Sequence, residues 1–247
     1  MFGLFKKKKE DLFDGNYNCL KTDMHSHILP GIDDGSPDVD TSVHLVKELM
    51  KLGYEKFIAT PHIYPDLYPN TKESIQQAAV LLNQRLKEEG IDIEVKAAAE
   101  YFIDDMFLER VEKGEQFLTI HNNWVLVEVS FIAPPQDLNH VLFALITNGY
   151  QPVLAHPERY RYYHHKKETY IRFKAPGCML QVNLLSLLGY YGKSVQEAAR
   201  FLVSEGLVDL IGTDLHHQRH LDAMHTPSLL KEVNSICKDA SILNATL

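Results

Sequence analysis

The chain has 247 residues, 45% of them hydrophobic and 23% charged, with a formal net charge of −8. This is an ordinary globular balance with no basic surplus, which argues against duplex nucleic acid as a partner. The length suits one large α/β domain or two small ones. The compositional outlier is histidine, with 13 copies against 1 tryptophan.

The amino terminus, "MFGLFKKKKEDLF", places its lysines after its apolar residues and has no long apolar stretch behind them. It reads as a solvated terminus, not a secretory signal, and no run in the chain reaches membrane-spanning length. Residues 1–18 are expected to be a flexible extension with no assigned role, and 19–247 the folded domain. Cys19, Cys178 and Cys237 are scattered and odd in number, which points away from a disulfide framework and toward a reducing, cytoplasmic setting.

The first strand candidate is "LKTDMHSH". A helix follows over residues 36–53, with Ser36 as its cap, Pro37 in its first turn and Gly53 as its stop. After the strand "KFIATPH" comes a second helix over 71–90, with Thr71 and Ser74 as possible starts and Gly90 as its end. The strands "IEVKAAAEYF", "WVLVEVSF", "PVLAHPER" and "CMLQVNL" come next, then the helix "SVQEAARFLVSEG" and the strand "VDLIGTDLH". Seven strands in an even alternation with helices predict a parallel sheet closed into a distorted, TIM-like (β/α)7 barrel. An open doubly wound sheet usually carries a glycine-rich phosphate turn after its first strand, and "HSHILPGIDDG" does not match one.

The strand ends carry the chemistry. In order they are His25 with His27, His62, Glu100, Glu128, His156, Asn183, and Asp214 with His216. From His27 to Asp214 the steps are 35, 38, 28, 28, 27 and 31 residues, close to the roughly 30 residues of one βα unit. In a parallel barrel all strand carboxyl ends share one rim, so these side chains should converge. His25 and His27, at i and i+2, lie on the same side of a strand, and Asp214 and His216 repeat the pattern. A lone histidine such as His44, His140 or His225 is better read as a helix-surface residue. A ring of ionisable groups in one mouth, however, is costly to desolvate unless cations partner it.

Imidazoles mixed with carboxylates, without thiolate, suit Zn, Mn or Fe. About nine donors are too many for one ion, so two or three ions are expected, with Glu100 as a bridge. Clustered divalent ions lower the pKa of a water and brace a phosphoryl displacement. Arg159 and Arg219 lie just past two strand ends and are candidate phosphate grips. A cysteine nucleophile needs an arginine six positions on, but His25, Leu184 and Leu243 stand there instead. "DVDTS" (38–42) opens a helix and reads as first-turn capping acids.

The stretches "DMHSHILPGIDDG", "ATPH", "AAEYF", "VEVSF", "AHPERY", "QVN" and "TDLH" resemble, in order, the PHP (polymerase and histidinol phosphatase) superfamily. Within it, the chain is similar to the bacterial manganese-dependent protein-tyrosine phosphatases of capsule and exopolysaccharide clusters. The resemblance spans about residues 20–220 and implies a PHP-type barrel with a trinuclear centre. It implies one ion held by His25, His27, Glu100 and Asp214, a second by Glu100, Glu128 and His156, and a third by Asp34, His62 and His216. Arg159 matches the family's phosphate-gripping arginines, and Arg219 follows a shorter stretch than the family has. The implied substrate is a phosphotyrosine segment of a bacterial tyrosine kinase. The implied reaction is in-line attack by a metal-activated hydroxide, without a covalent phospho-enzyme. Competing readings are a phosphoesterase acting on a small metabolite such as histidinol phosphate, a silent metal-binding scaffold, and a metal-dependent amidohydrolase.

Overall fold

A computed structural model describes residues 15–239 and 241–247. Its strands are β1 (Thr22–Asp23), β2 (Lys56–Ala59), β3 (His62–Ile63), β4 (Val95–Ala97), β5 (Glu100–Phe102), β6 (Trp124–Glu128), β7 (Gln151–Ala155), β8 (Met179–Asn183) and β9 (Leu210–Gly212). All named pairings are parallel, in the orders β1-β2-β4 and β3-β5-β6-β7-β8-β9. The two sheets are one ring interrupted at Thr60-Pro61 and Ala98-Ala99. Proline has no N–H to give, yet pairing continues across the gap through Ala98 N–H to Ala59 O (2.8 Å) and Glu100 N–H to Pro61 O (3.0 Å). β2 with β3 and β4 with β5 therefore each act as one strand, and the expected seven are present.

The first and last strands also meet. Ser26 and Leu215 form a parallel bridge. Asp214 N–H donates to His25 O (2.8 Å) and His27 N–H to Leu215 O (2.9 Å). Below them, the buried Asp23 carboxylate accepts from Thr213 Oγ1 at 2.8 Å and from Thr213 N–H at 3.2 Å.

Helices cover the ring: α1 (Val39–Lys51), α2 (Lys72–Glu88), α3 (Phe107–Glu112), α4 (Leu138–Thr147), α5 (Glu168–Lys174), α6 (Leu184–Leu188), α7 (Lys193–Ser204), α8 (Gln218–Met224) and α9 (Pro227–Asp239). The cap of α1 is Asp38, not the expected Ser36. The Asp38 carboxylate accepts from Thr41 N–H at 2.7 Å, whereas Ser36 Oγ turns to Asp38 O. Thr71 and Ser74 form a reciprocal capping box on α2, which satisfies two of its orphan donors. Gly53 and Gly90 follow α1 and α2 with φ of +95° and +72°, a region glycine enters without steric cost.

The boundary expected at residue 18 falls inside packed structure. Tyr17 is buried in the core and its Oη donates to Met224 O at 2.6 Å. The lysine run lies outside the described residues. No described helix is long and apolar enough to cross a membrane.

An inner apolar plug contains Met24, Ile58, Ala98, Leu126, Val153, Met179 and Leu210, with Leu247 packed among them. Full burial of one such large side chain contributes about 1.5–3 kcal/mol. The plug also locates the site. Two positions further along the strand, on the same face, Ala98 is followed by Glu100, Leu126 by Glu128 and Met179 by Gln181. At these three positions the side chain above the plug changes from apolar to polar, and the barrel mouth begins there.

Candidate metal centre

Glu100 stands at the centre of the mouth and is fully buried. Its Oε2 lies 3.3 Å from His25 Nε2, 3.5 Å from His27 Nε2 and 3.2 Å from His62 Nδ1. Its Oε1 lies 3.1 Å from His156 Nε2. Asp214 Oδ1 faces the same two imidazoles of the opening pair, 3.5 Å from His25 and 3.4 Å from His27. His62 also turns Nδ1 to Glu128 Oε1 at 3.0 Å and Nε2 to Asp34 Oδ1 at 3.5 Å. His216 Nε2 lies 3.6 Å from Asp34.

Among the described residues, three overlapping groups could each hold a cation: His25-His27-Glu100, His62-Glu100-Glu128, and His27-Asp34-His62-His216. These groups hold seven of the nine residues expected to be ligands, and the other two lie beside them, His156 against Glu100 and Asp214 against His25 and His27. His62, expected only beside Asp34 and His216, spans two of the groups.

The donors fit divalent ions on their own chemistry. His25 Nε2, His27 Nε2, His62 Nδ1 and both Glu100 oxygens are buried without a hydrogen-bond partner, a costly state unless a cation satisfies them. Burial pushes the His25 imidazolium down, but Glu100 and Asp214 outweigh it and raise His25 to about 9. Burial pushes Glu100 and Asp214 up, but the surrounding histidines hold both well below the usual carboxylate range, with Arg159 adding to the effect at Asp214. A field that draws protons onto buried imidazoles is one that favours cations. His216 is lowered to about 4, by burial first and then by His27 beside it, which leaves its ring neutral with a lone pair to offer.

A second layer of contacts aims these donors. Asp33 Oδ2 accepts from His27 Nδ1 at 2.8 Å, and its Oδ1 accepts from Gly35 N–H at 3.0 Å. Gln181 Oε1 pairs with His25 Nδ1 at 2.8 Å, while Gln181 Nε2 donates to Asn183 Oδ1 at 2.9 Å. Asn183 Nδ2 donates to Asp214 Oδ2 at 2.6 Å. Asn183, expected among the donor-type strand ends, thus hydrogen-bonds the candidate donor Asp214 instead. Such partners would fix which imidazole nitrogen is turned to a bound cation. His156 and Asp214 have φ of +34° and +50°, and a non-glycine residue held there costs about 1–3 kcal/mol. The strain falls on two residues of the mouth.

The family described as capsular polysaccharide synthesis, CpsB/CapC, matches residues 21–241. The chain belongs to the CpsB/CapC family. A relative, the tyrosine-protein phosphatase YwqE of Bacillus subtilis (strain 168), is 30% identical over 195 residues, covering 79% of this chain and 77% of YwqE. The putative tyrosine-protein phosphatase CapC of Staphylococcus aureus is 26% identical over 213 residues, covering 85% and 81%. A solved structure from work on YwqE from Bacillus subtilis and CpsB from Streptococcus pneumoniae, described as unique metal-dependent tyrosine phosphatases, superposes with a TM-score of 0.75 at 27% identity. That superposition covers 90% of this chain and 96% of the solved one.

In this CpsB/CapC chain the donors open into a cleft of about 250 Å³. Arg159 lines it, with Nη1 2.8 Å from Asp214 Oδ2. Arg219 is exposed on α8 and is not part of the lining. His217 and His220 of the same segment are. The one-residue steps of a helix turn neighbours to different faces, and proximity in sequence to His216 could not reveal which face Arg219 takes. Asp33 and Gln181 were also missed. Asp33 stands beside Asp34 in "IDD", and its closeness to His27 depends on the turn.

Proposed function

We propose that this chain is a metal-dependent protein-tyrosine phosphatase, acting in the cytoplasm on a tyrosine kinase of capsule or exopolysaccharide synthesis. The observation that carries the reading is Glu100, a fully buried carboxylate with His25, His27, His62 and His156 all within 3.5 Å of its oxygens. A carboxylate so placed would hold two ions through its two oxygens, were both bound. The proposed sets are His25, His27, Glu100 and Asp214 for one ion; Glu100, Glu128 and His156 for a second; Asp34, His62 and His216 for a third. Mn²⁺ is the proposed ion, with Fe and Zn also compatible with imidazole and carboxylate donors. When bound, such ions make water a stronger nucleophile at neutral pH and neutralise phosphoryl oxygens.

The chain's own residues supply the rest. Arg159 spends one nitrogen on Asp214 and keeps its other donors for phosphate oxygens, a geometry guanidinium suits. The buried carboxylates and imidazoles exchange bulk water for fixed dipoles, which strengthens each electrostatic contact in the mouth. Asp33 and Gln181 hold the opening histidines in a single orientation. Phenolate is a good enough leaving group, with phenol pKa near ~10, that a dedicated acid is dispensable.

The test is a metal-reconstituted assay with Mn²⁺, Fe²⁺ and Zn²⁺ in parallel, comparing a phosphotyrosine peptide, a phosphoserine peptide and histidinol phosphate. Preference for the phosphotyrosine peptide is expected. Preference for histidinol phosphate would replace this reading with a metabolite phosphatase and leave the fold untouched. Glu100→Ala is expected to abolish metal-dependent turnover, and normal hydrolysis of p-nitrophenyl phosphate by that variant would remove Glu100 from the centre.

A further inference from the structure

We propose that Phe131 is the specificity-determining wall of the cleft, selecting aryl over alkyl phosphate esters by stacking on the substrate's ring. The inference rests on the phosphatase reading above and deepens it.

Phe131 follows β6 and lines the same cleft as Glu128, His156 and Arg159. On its inner side the ring is already engaged. It stacks on His156 with centroids 5.5 Å apart at 25°, and it lies 5.4 Å from Tyr160. The Arg159 guanidinium carbon sits 4.7 Å from its centroid and 4.4 Å from that of Tyr191. The guanidinium is thus also held by Tyr191 and by its ion pair with Asp214, and guanidinium–ring contacts of this kind are attractive.

Despite these contacts, 47% of Phe131 remains exposed, and the neighbouring Ile132 is 93% exposed. The rest of the mouth consists mainly of histidines and carboxylates, so this is its apolar edge. Arg159 sets where a phosphoryl group would sit, and Phe131 is the flat surface beside that position. In an aryl ester the ring hangs one oxygen from phosphorus and comes within reach of that surface. An alkyl ester presents a methylene there and no face to stack. Offset or edge-on ring pairs gain beyond simple burial, so the preference follows from shape and quadrupole together.

Phe131→Ala and Phe131→Leu, loaded with metal, should be compared with the parent on phenyl phosphate and on glycerol 2-phosphate. Inhibition by inorganic phosphate should be measured beside them. In Phe131→Ala the aryl-to-alkyl ratio of kcat/KM is expected to fall about tenfold, mostly through KM for the aryl ester. Phe131→Leu should lie between, since it keeps apolar cover over Arg159 but loses the flat face. The phosphate inhibition constant should change by less than about twofold in either variant, because phosphate has no ring to stack.

An unchanged ratio overturns the proposal, whether both activities stay level or fall together. A weakened phosphate inhibition with an unchanged ratio also overturns it, by reducing Phe131 to a support for Arg159. Neither result touches the phosphatase reading, which fails separately if the parent protein hydrolyses no aryl phosphate.

Discussion

Gly35→Ala perturbs the centre while leaving every proposed donor in place. A Cβ at residue 35 would lie 2.0 Å from the His27 carbonyl oxygen and 2.5 Å from the His27 Cβ. These atoms belong to the main chain or its first branch, so no flexible side-chain end can swing away. Either His27 or the Asp33–Gly35 turn must retreat. Asp33 couples the two, since it accepts from Gly35 N–H and holds His27 Nδ1 at 2.8 Å. Recovering ordinary contact requires a shift on the order of 1 Å, a misplacement that can cost about 100-fold in rate. The overpacking itself should lower stability by about 1–3 kcal/mol. The expected result is a folded protein with kcat/KM on p-nitrophenyl phosphate reduced about 100-fold and reduced metal content by elemental analysis. Urea denaturation run alongside separates loss of fold from loss of geometry. A variant with parental metal content and kcat/KM within about threefold would refute the idea that this turn holds His27 in register.

Three further expectations can be measured. Asp33→Asn keeps the size of the side chain but weakens the acceptor on His27 Nδ1, and should lower metal affinity about 10–100-fold, read by competition with a chelating dye. Arg159→Ala should raise KM for aryl phosphates and release Asp214 Oδ2 from its ion pair; an unchanged KM would remove Arg159 from phosphate binding. Away from the mouth, Arg110 donates from Nε and Nη2 to the two oxygens of Glu115, both at 2.8 Å. This hydrogen-bonded pairing lowers the Glu115 pKa. A depressed folded-state value stabilises the protein above the unfolded carboxyl pKa of about 4.3, and that contribution is lost as pH falls through the folded value. Glu115→Gln should therefore cost about 0.2–1 kcal/mol near neutrality, screened because the pair is partly exposed. The difference from the parent should vanish in acid, and a difference that persists unchanged at low pH would contradict the assignment.

Much of the fold and site is legible in the linear chain because its signals are local. Alternating apolar runs reveal strands, and a unit-length spacing of His and Glu residues reveals a shared rim. Periodicity of two along the third and fourth strands is enough to place Glu100 and Glu128 one step above Ala98 and Leu126. The capping chemistry of α2 is likewise written in Thr71 and Ser74.

What folding alone decided are the contacts that join distant segments or depend on which way a turn or helix faces. Asp33 and Asp34 are equivalent in sequence, yet the turn closed by Gly35 aims the first at His27 Nδ1 and leaves the second beside His62 and His216. Asn183 becomes a partner of Asp214, 31 residues away, only once β8 and β9 pair. Arg219 and His220 are adjacent in the chain, but helical rotation leaves the first in solvent and puts the second in the cleft wall. Residue types and their period are properties of the linear polymer, whereas the direction of a side chain after a turn is set by every atom packed around it.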